Sequence, residues 1–218
     1  MADNWNHNIM TDLQGYLTMG QIEAIINAAS NQRDAILLRL LSRTGRRISE
    51  IVGRKEYVHR NATKGIEVTY PKVEGIRPRD INWENNMIAF YILKKKHLIR
   101  KVKPVDRITM RMLREYIDIN KLEPDMQIFD ISRFRCFQIV RQCAERAGIF
   151  MVGDKAPHPH HFRHSFAVQA LKHSKDATTI KRIQMALEHS DLSITSGYLQ
   201  LSQEDIRQMV EDTFGDEE

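Results

Sequence analysis

The sequence contains only two cysteines, Cys136 and Cys143, which lie about two turns apart in a stretch with helical periodicity. Two cysteines in this arrangement do not form a metal-binding framework and do not indicate a structural disulfide. Scarce cysteine is typical of proteins from a reducing compartment. We therefore expect a cytoplasmic protein.

Long apolar runs are also missing, because no stretch reaches the about eighteen consecutive apolar residues that a membrane span needs. The N-terminal segment MADNWNHNIMTDLQ lacks the charged start and apolar centre of a secretory signal. Internal repeats and low-complexity segments are absent from the sequence as well. At 218 residues, with 42% hydrophobic residues, the chain can form one large domain or two small ones around a substantial core.

Negative charge is scarce in the body of the chain, since five of the acidic residues lie after residue 210, where there is no basic residue. Without that tail, 33 Lys and Arg stand against the remaining 23 Asp and Glu, a net charge of +10. A basic body favours an anionic partner, and nucleic acid is the commonest one. A solvated basic surface with no partner is the alternative.

Apolar spacing predicts an α+β fold that is mainly α-helical and has a small antiparallel β-sheet. A hairpin is expected from the β-rich run Met87 to Leu93 and the alternating run Ile99 to Val105. Residues 54–78 are expected to form an irregular insertion around one strand, GIEVTYP. Helices are expected in two segments before Gly45 and then in RRISEIVG, at 108–120, at 132–147, after His160, at 178–187 and from Ser202.

Three separated clusters carry a family resemblance: RTGRRISEIV at 43–52, HPHHFRHSFA at 158–167 and LEHSDLSITSGY at 187–198. Their order along the chain and their residue identities resemble the motif blocks of the tyrosine recombinase (phage integrase) family. One block alone would be weak evidence, whereas three in the family's order are hard to reach by chance. The matching residues are Thr44, Gly45, Arg47, Ile48, Ser49, Glu50, His160, Arg163, His164, Ser165, Phe166, Ala167, Leu187, His189 and Tyr198.

The resemblance implies a site-specific DNA recombinase or integrase that cuts and rejoins strands through a covalent 3′-phosphotyrosyl link, with Tyr198 as the nucleophile. Planar guanidinium groups can each hold two phosphate oxygens, so Arg47 and Arg163 are the expected clamp on the reacting phosphate. The resemblance makes His160 the candidate base and lets His189 contact the phosphate or steady the tyrosine. No metal, nucleotide or other cofactor is needed for this chemistry.

The resemblance implies that the general acid, which protonates the leaving 5′ oxygen, is a lysine at the tip of the hairpin, where the sequence reads Lys94-Lys95-Lys96. Counting back from Arg100 on the returning strand, as the family's spacing suggests, favours Lys95, with Lys94 second. We expect the neighbouring basic side chains to contact DNA phosphates: Lys94, Lys96, Arg100, Lys101 and Lys103.

Other interpretations apply to several of these residues. His160 and His164 have the i,i+4 spacing of zinc ligands, but a third ligand nearby is missing. For His158 and His161 the alternative to a role at the site is plain surface polarity, which we favour for His158. Arg43 and Arg46 either contact DNA or face solvent. Glu50 is expected to support Arg47 rather than to take part in the chemistry.

The sequence departs from the family in several places. Glu188 stands where the family usually has glycine, and the insertion after Glu50 is either a DNA-contacting loop or inert. Residues 1–16 form a short polar segment and 17–218 the expected catalytic domain, with no N-terminal core-binding domain. The C-terminal helix, 202–213, either docks on a neighbouring subunit or packs on its own domain.

The expected partners are double-stranded DNA and further copies of the chain, as a tetramer on DNA and a monomer free in solution; no membrane partner is expected. The alternatives to a recombinase are a type IB topoisomerase-like or hairpin-resolving enzyme, and a DNA-binding accessory protein of the same fold that has no catalytic activity.

Overall fold

The computed structural model describes residues 15–61, 66–94 and 97–172. Six α-helices lie in this part of the chain: α1 (Met19–Asn27), α2 (Gln32–Thr44), α3 (Ile48–Ile51), α4 (Arg107–Ile119), α5 (Arg133–Arg146) and α6 (Pro159–Lys172). The strands are β1 (Tyr57–Asn61), β2 (Ile66–Tyr70), β3 (Ile81–Asn82), β4 (Met87–Lys94) and β5 (His97–Pro104). The predicted class, α+β and mainly helical with small antiparallel sheets, is confirmed. The helices predicted at 178–187 and 202–213 lie outside the described residues.

Helix α2 is the centre of the core, and α1, α4 and α6 pack around it. It begins at Asn31, whose side chain accepts a hydrogen bond from the backbone N–H of Asp34, and ends at Gly45 in the left-handed conformation. Its isoleucine and leucine residues are completely buried: Ile36, Leu37, Leu38, Leu40 and Leu41. Because most of this helix is buried, its packing determines where the turn at Gly45 and the residues after it lie.

The predicted hairpin is confirmed as β4 and β5, which pair in antiparallel register from Met87 opposite Pro104 to Lys94 opposite His97. Ile88, Phe90 and Ile92 of β4 face the core and are almost completely buried. Strand β5 is exposed along most of its length and forms the edge of the three-stranded sheet, whose order is β3-β4-β5. The hairpin therefore presents its basic strand to solvent.

The insertion after α3 is more regular than predicted. Strands β1 and β2 pair as an antiparallel ribbon, with Tyr57 opposite Tyr70, so the expectation of a single strand in an irregular segment was wrong. Strand β1 was missed because all four residues from Tyr57 to Arg60 are exposed, which leaves no apolar alternation to detect. At the root of the ribbon the two tyrosine rings stack 4.9 Å apart, and the Arg54 guanidinium lies 4.7 Å from the Tyr57 ring.

Both cysteines are free thiols buried in α5, and burial raises the pKa of Cys136 to about 12. Such thiols are chemically inert packing residues. Within the described residues no helix combines the length and apolarity needed to cross a membrane. The cytoplasmic location stays a prediction.

The root of the ribbon gives a test of the packing. Gly53 has φ +80°, and a Cβ there would lie 2.7 Å from the backbone nitrogen of Gly75. Gly53→Ala should therefore lower the free energy of unfolding by about 3 kcal/mol, because backbone strain and a backbone clash add together. Gly148→Ala is the matched control, since φ is +74° there but the space around it is open; it should cost about 1 kcal/mol. Equal losses in urea unfolding would contradict the predicted clash.

Candidate active site

Arg47 lies between the left-handed turn at Gly45 and helix α3, where a buried carboxylate orients it. The Nη1 atom of Arg47 lies 3.1 Å from Oε1 of Glu50, and the backbone N–H of Arg47 donates to Oε2 of the same residue at 3.2 Å. The Arg47 side chain is 42% exposed, whereas that of Glu50 is 4% exposed. The predicted supporting role of Glu50 is confirmed, and Arg47 faces solvent in a fixed orientation.

Arg46 points the opposite way. It is only 1% exposed, and its Nη1 atom lies 3.6 Å from Oε2 of Glu50. The expectation that Arg46 contacts DNA or faces solvent was wrong, because Glu50 is itself buried and holds this second guanidinium inside the protein. Arg43 forms an ion pair with Glu23 of α1. The arginines of this motif thus differ in their burial and in their partners.

Arg163, on α6, is 5% exposed and contacts the turn at Gly45, which directly precedes Arg47 in the chain. Its Nη1 atom donates a hydrogen bond of 2.6 Å to the carbonyl oxygen of Gly45. Because α6 packs along α2, this bond links the two motif blocks. The arginines predicted as a phosphate clamp are therefore brought together around one turn of the backbone.

His160 lies one helical turn before Arg163 and remains accessible to solvent. Partial burial of the ring and the positive charges of Arg163, Arg47 and Arg133 lower the pKa of His160. The imidazole is therefore neutral at neutral pH and can accept a proton. Its position beside both arginines agrees with the grouping that the sequence predicted.

Arg133 was missed in the sequence. It is the first residue of α5, where Ser132 caps the helix, and its exposed side chain adds positive charge at His160. No motif surrounds it, so only the packing of α5 beside α6 reveals that it lies near the site.

Four of the predicted residues, Lys95, Lys96, His189 and Tyr198, lie outside the described residues. Lys94 is the last residue of β4. On β5, Arg100 and Lys101 are exposed and Lys103 is partly exposed. Since side chains alternate along a strand, Lys101 and Lys103 share one face of the sheet and Arg100 lies on the other. One flat phosphate surface cannot contact all three in the same way.

His161 is buried, and His158, which was expected at the surface, is partly exposed. His161 is 6% exposed, so the alternative of plain surface polarity was wrong for it. Its ring stacks on that of His158 with the centroids 3.9 Å apart. Burial, followed by the charges of His158 and His164, lowers the pKa of His161 to about 4. Both rings pack at the N-terminal end of α6, next to His160.

The zinc interpretation gains no support from the described part of the chain, in which no group of three His, Cys, Asp or Glu could hold a metal ion. The His164 ring lies beside Tyr16, with the centroids 6.2 Å apart, and burial lowers the pKa of His164.

Comparison with known proteins gives a family match and several relatives. The family model described as the phage integrase family matches residues 72–205. The chain is 26% identical over 187 residues to tyrosine recombinase XerA of Saccharolobus solfataricus, covering 86% of this chain and 52% of the relative. It is 29% identical over 177 residues to tyrosine recombinase XerD of Staphylococcus saprophyticus, covering 81% of this chain and 53% of the relative. The chain thus spans about half the length of these relatives.

Two solved structures share the fold. A crystal structure of XerA recombinase matches with a TM-score of 0.64 and 21% identity, over 91% of this chain and 63% of that one. A post-cleavage complex of XerH site-specific recombinase with a palindromic difH substrate matches with a TM-score of 0.63 and 16% identity, over 92% of this chain and 53% of that one.

The pairing of Glu50 with two arginines predicts a large stability effect. Glu50→Gln removes a buried negative charge and should lower the free energy of unfolding by about 3 kcal/mol. The matched control is Glu67→Gln, because Glu67 pairs with Arg60 on the exposed ribbon and should change stability by less than about 1 kcal/mol. Denaturant unfolding of both variants measures the difference, and similar small losses would show that Glu50 does not hold the arginines.

Proposed function

Because the chain belongs to the phage integrase family, we propose that it cuts and rejoins DNA as a site-specific tyrosine recombinase. We propose further that residues 17–218 form its catalytic domain. The observation that carries the proposal is the joining of two separated motif blocks by the 2.6 Å hydrogen bond from Arg163 to the Gly45 carbonyl oxygen. That bond supports the proposal that Arg47, His160 and Arg163 act together on one phosphate.

The two arginines are suited to stabilise a phosphodiester under attack. Negative charge develops on the non-bridging oxygens in the transition state, and donors held in place before the reaction stabilise that charge most effectively. Glu50 holds Arg47 and the Gly45 carbonyl holds Arg163, so neither guanidinium needs to be ordered during the reaction. In this proposal both guanidinium groups contact the phosphate at the cleavage point.

His160 acts in the proposal as the base near the phosphate. Its lowered pKa keeps the imidazole neutral, as accepting a proton requires. The nucleophile is Tyr198, whose phenol has an ordinary pKa near 10 and therefore needs such a base at neutral pH. Attack joins the tyrosine oxygen to the 3′ phosphate, and the 5′ oxygen leaves with a proton from Lys95. His189 contacts the phosphate. The roles of Tyr198 and His189 rest on the third sequence block, and that of Lys95 rests on its spacing from Arg100.

Double-stranded DNA is the proposed partner. Strand β5 is mostly exposed and carries Arg100, Lys101 and Lys103, and Lys94 and Lys96 precede it closely in the sequence. Phosphate contacts of this kind predict binding that weakens steeply with added salt. The structure of XerH was determined with its difH substrate bound, and we propose a similar mode here, with a tetramer on DNA in which residues 202–213 dock on a neighbouring copy.

A covalent trapping experiment tests the reaction. Duplexes of varied sequence, each nicked close to a candidate cleavage point, are incubated with the full chain and separated on a denaturing gel. The wild type should form a protein–DNA adduct that persists in excess EDTA, whereas Tyr198→Phe should bind DNA equally well and form no adduct. An adduct in the variant would show that the nucleophile is another residue. Binding without any adduct in the wild type would favour an accessory protein that only binds DNA.

Removal of one clamp arginine should slow cleavage strongly. Arg163→Ala is expected to lower the single-turnover rate by roughly 1,000-fold, because a preorganised charged donor is lost from the transition state. Arg141→Ala is the matched control, since that arginine lies on the exposed face of α5 and pairs only with Glu145 among the described contacts. Equal rates for the two variants would contradict the proposed clamp.

A further inference from the structure

The proposed chemistry leaves two histidines beside the site unexplained, His158 and His161. We propose that they are positioning residues that cap the N-terminus of α6 and thereby hold His160 and Arg163 in place. The effect on catalysis rests on the proposed function, whereas the capping itself does not.

The capping consists of two reciprocal hydrogen bonds. The backbone N–H of His160 donates to Nδ1 of His158 at 3.3 Å, and the backbone N–H of His158 donates to Nδ1 of His161 at 3.2 Å. The usual capping box also has two such bonds, but there the cap side chain accepts from the third helical residue, whereas His158 accepts from the second, His160. Its acceptors are a Ser or Thr hydroxyl and a Glu or Gln oxygen. Here two imidazole nitrogens take those places. Pro159, at the first helical position, has no N–H to satisfy.

An imidazole nitrogen can accept a hydrogen bond only when it carries no proton. Both rings must therefore be neutral and have their proton on Nε2. The ring stack supports this state, because two positive rings with centroids 3.9 Å apart would repel each other. Phe137 of α5 also packs near the His158 ring, with a centroid distance of 6.3 Å and an angle of 25° between the rings, so a neighbouring helix contacts the pair.

The groups around the pair also favour the neutral state. Burial, His160 and Lys155 lower the pKa of His158. Burial, His158, His164, Lys155 and His160 lower that of His161. Each of these neighbours is positive when charged, so none favours a protonated ring.

Hydrogen bonds through Ser165 connect the cap to the core of the protein. Oγ of Ser165 donates to the carbonyl oxygen of His161 at 2.7 Å and accepts from the backbone N–H of Leu17 at 2.7 Å. His161 is thus fixed through its backbone and its side chain. The backbone N–H of His160 is one of the capped groups, and Arg163 follows one turn later. Loss of the cap should therefore displace His160 and Arg163 relative to Arg47.

The single-turnover cleavage rate at saturating protein distinguishes a positioning role of His158 from a purely structural one. His158→Ala should lower the rate by about 10- to 100-fold, because small displacements of reacting groups are costly, while DNA affinity stays unchanged. His158→Ser keeps a side-chain acceptor at the cap position and should return the rate to within about threefold of wild type. Thermal melting of both variants shows that each is folded. A serine variant as slow as the alanine variant, or an alanine variant at the wild-type rate, would overturn the proposal.

A second measurement needs no DNA. Long-range proton–nitrogen NMR correlations on the full chain should show His158 and His161 neutral at pH 7, with the proton of each on Nε2. A proton on Nδ1 of either ring would overturn the capping. A wild type that cleaves no DNA but shows the expected tautomers would refute the proposed function and leave the capping standing.

Stability should also follow the protonation of the pair. The pKa of His161 is lowered to about 4 from an ordinary 6.5, so the unfolded chain binds a proton that the folded chain does not. The free energy of unfolding should therefore fall as pH falls from 6.5 towards 4. His161→Gln keeps an acceptor for the His158 N–H but does not titrate, so its loss over this range should be smaller. If the free energy of unfolding of that variant fell with pH as steeply as that of the wild type, the proposal that a neutral His161 is the acceptor would be wrong.

Discussion

A single buried carboxylate, Glu50, determines the orientation of the first half of the site. It pairs with two adjacent arginines, one buried and one accessible to solvent. A buried charge is tolerated only when it is paired and hydrogen-bonded, so the inward Arg46 helps to keep the carboxylate where it can hold Arg47. Without Arg46, the outward arginine would depend on a carboxylate with a much higher cost of burial. The orientation of the exposed Arg47 side chain therefore depends on the buried contact between Arg46 and Glu50.

Much of this arrangement could be predicted from the sequence, because the motif blocks and the periodic segments carry local signals. The helix expected at 108–120 is observed at Arg107–Ile119, and the β4–β5 hairpin follows the alternation of its apolar residues. The grouping of Arg47, His160 and Arg163 could be expected because the order of the blocks resembles that of a known family. These predictions needed no knowledge of which distant residues touch.

What could not be predicted depends on tertiary contacts. Nothing in the letters RTGRR shows which arginine turns inward, since that choice depends on the burial of Glu50. His161 has a polar side chain in a polar stretch, and only the packing of α6 against the body buries it. Arg133 is distant in sequence from every motif. The residues of β1 from Tyr57 to Arg60 are all exposed, so the strand is defined by its pairing with β2 rather than by a buried face.

The hydrogen bond between Arg163 and the Gly45 carbonyl has a consequence for which amino acids the position accepts. A guanidinium group carries its five N–H donors on three nitrogens in one rigid plane, so one donor can be anchored to the protein while the plane keeps its direction towards a ligand. An ammonium group has all its donors on a single atom, and anchoring that atom changes the direction of the others. A lysine at this position could therefore not bind the Gly45 carbonyl and keep its remaining donors directed towards a phosphate. Arginine can serve both with different atoms of one side chain.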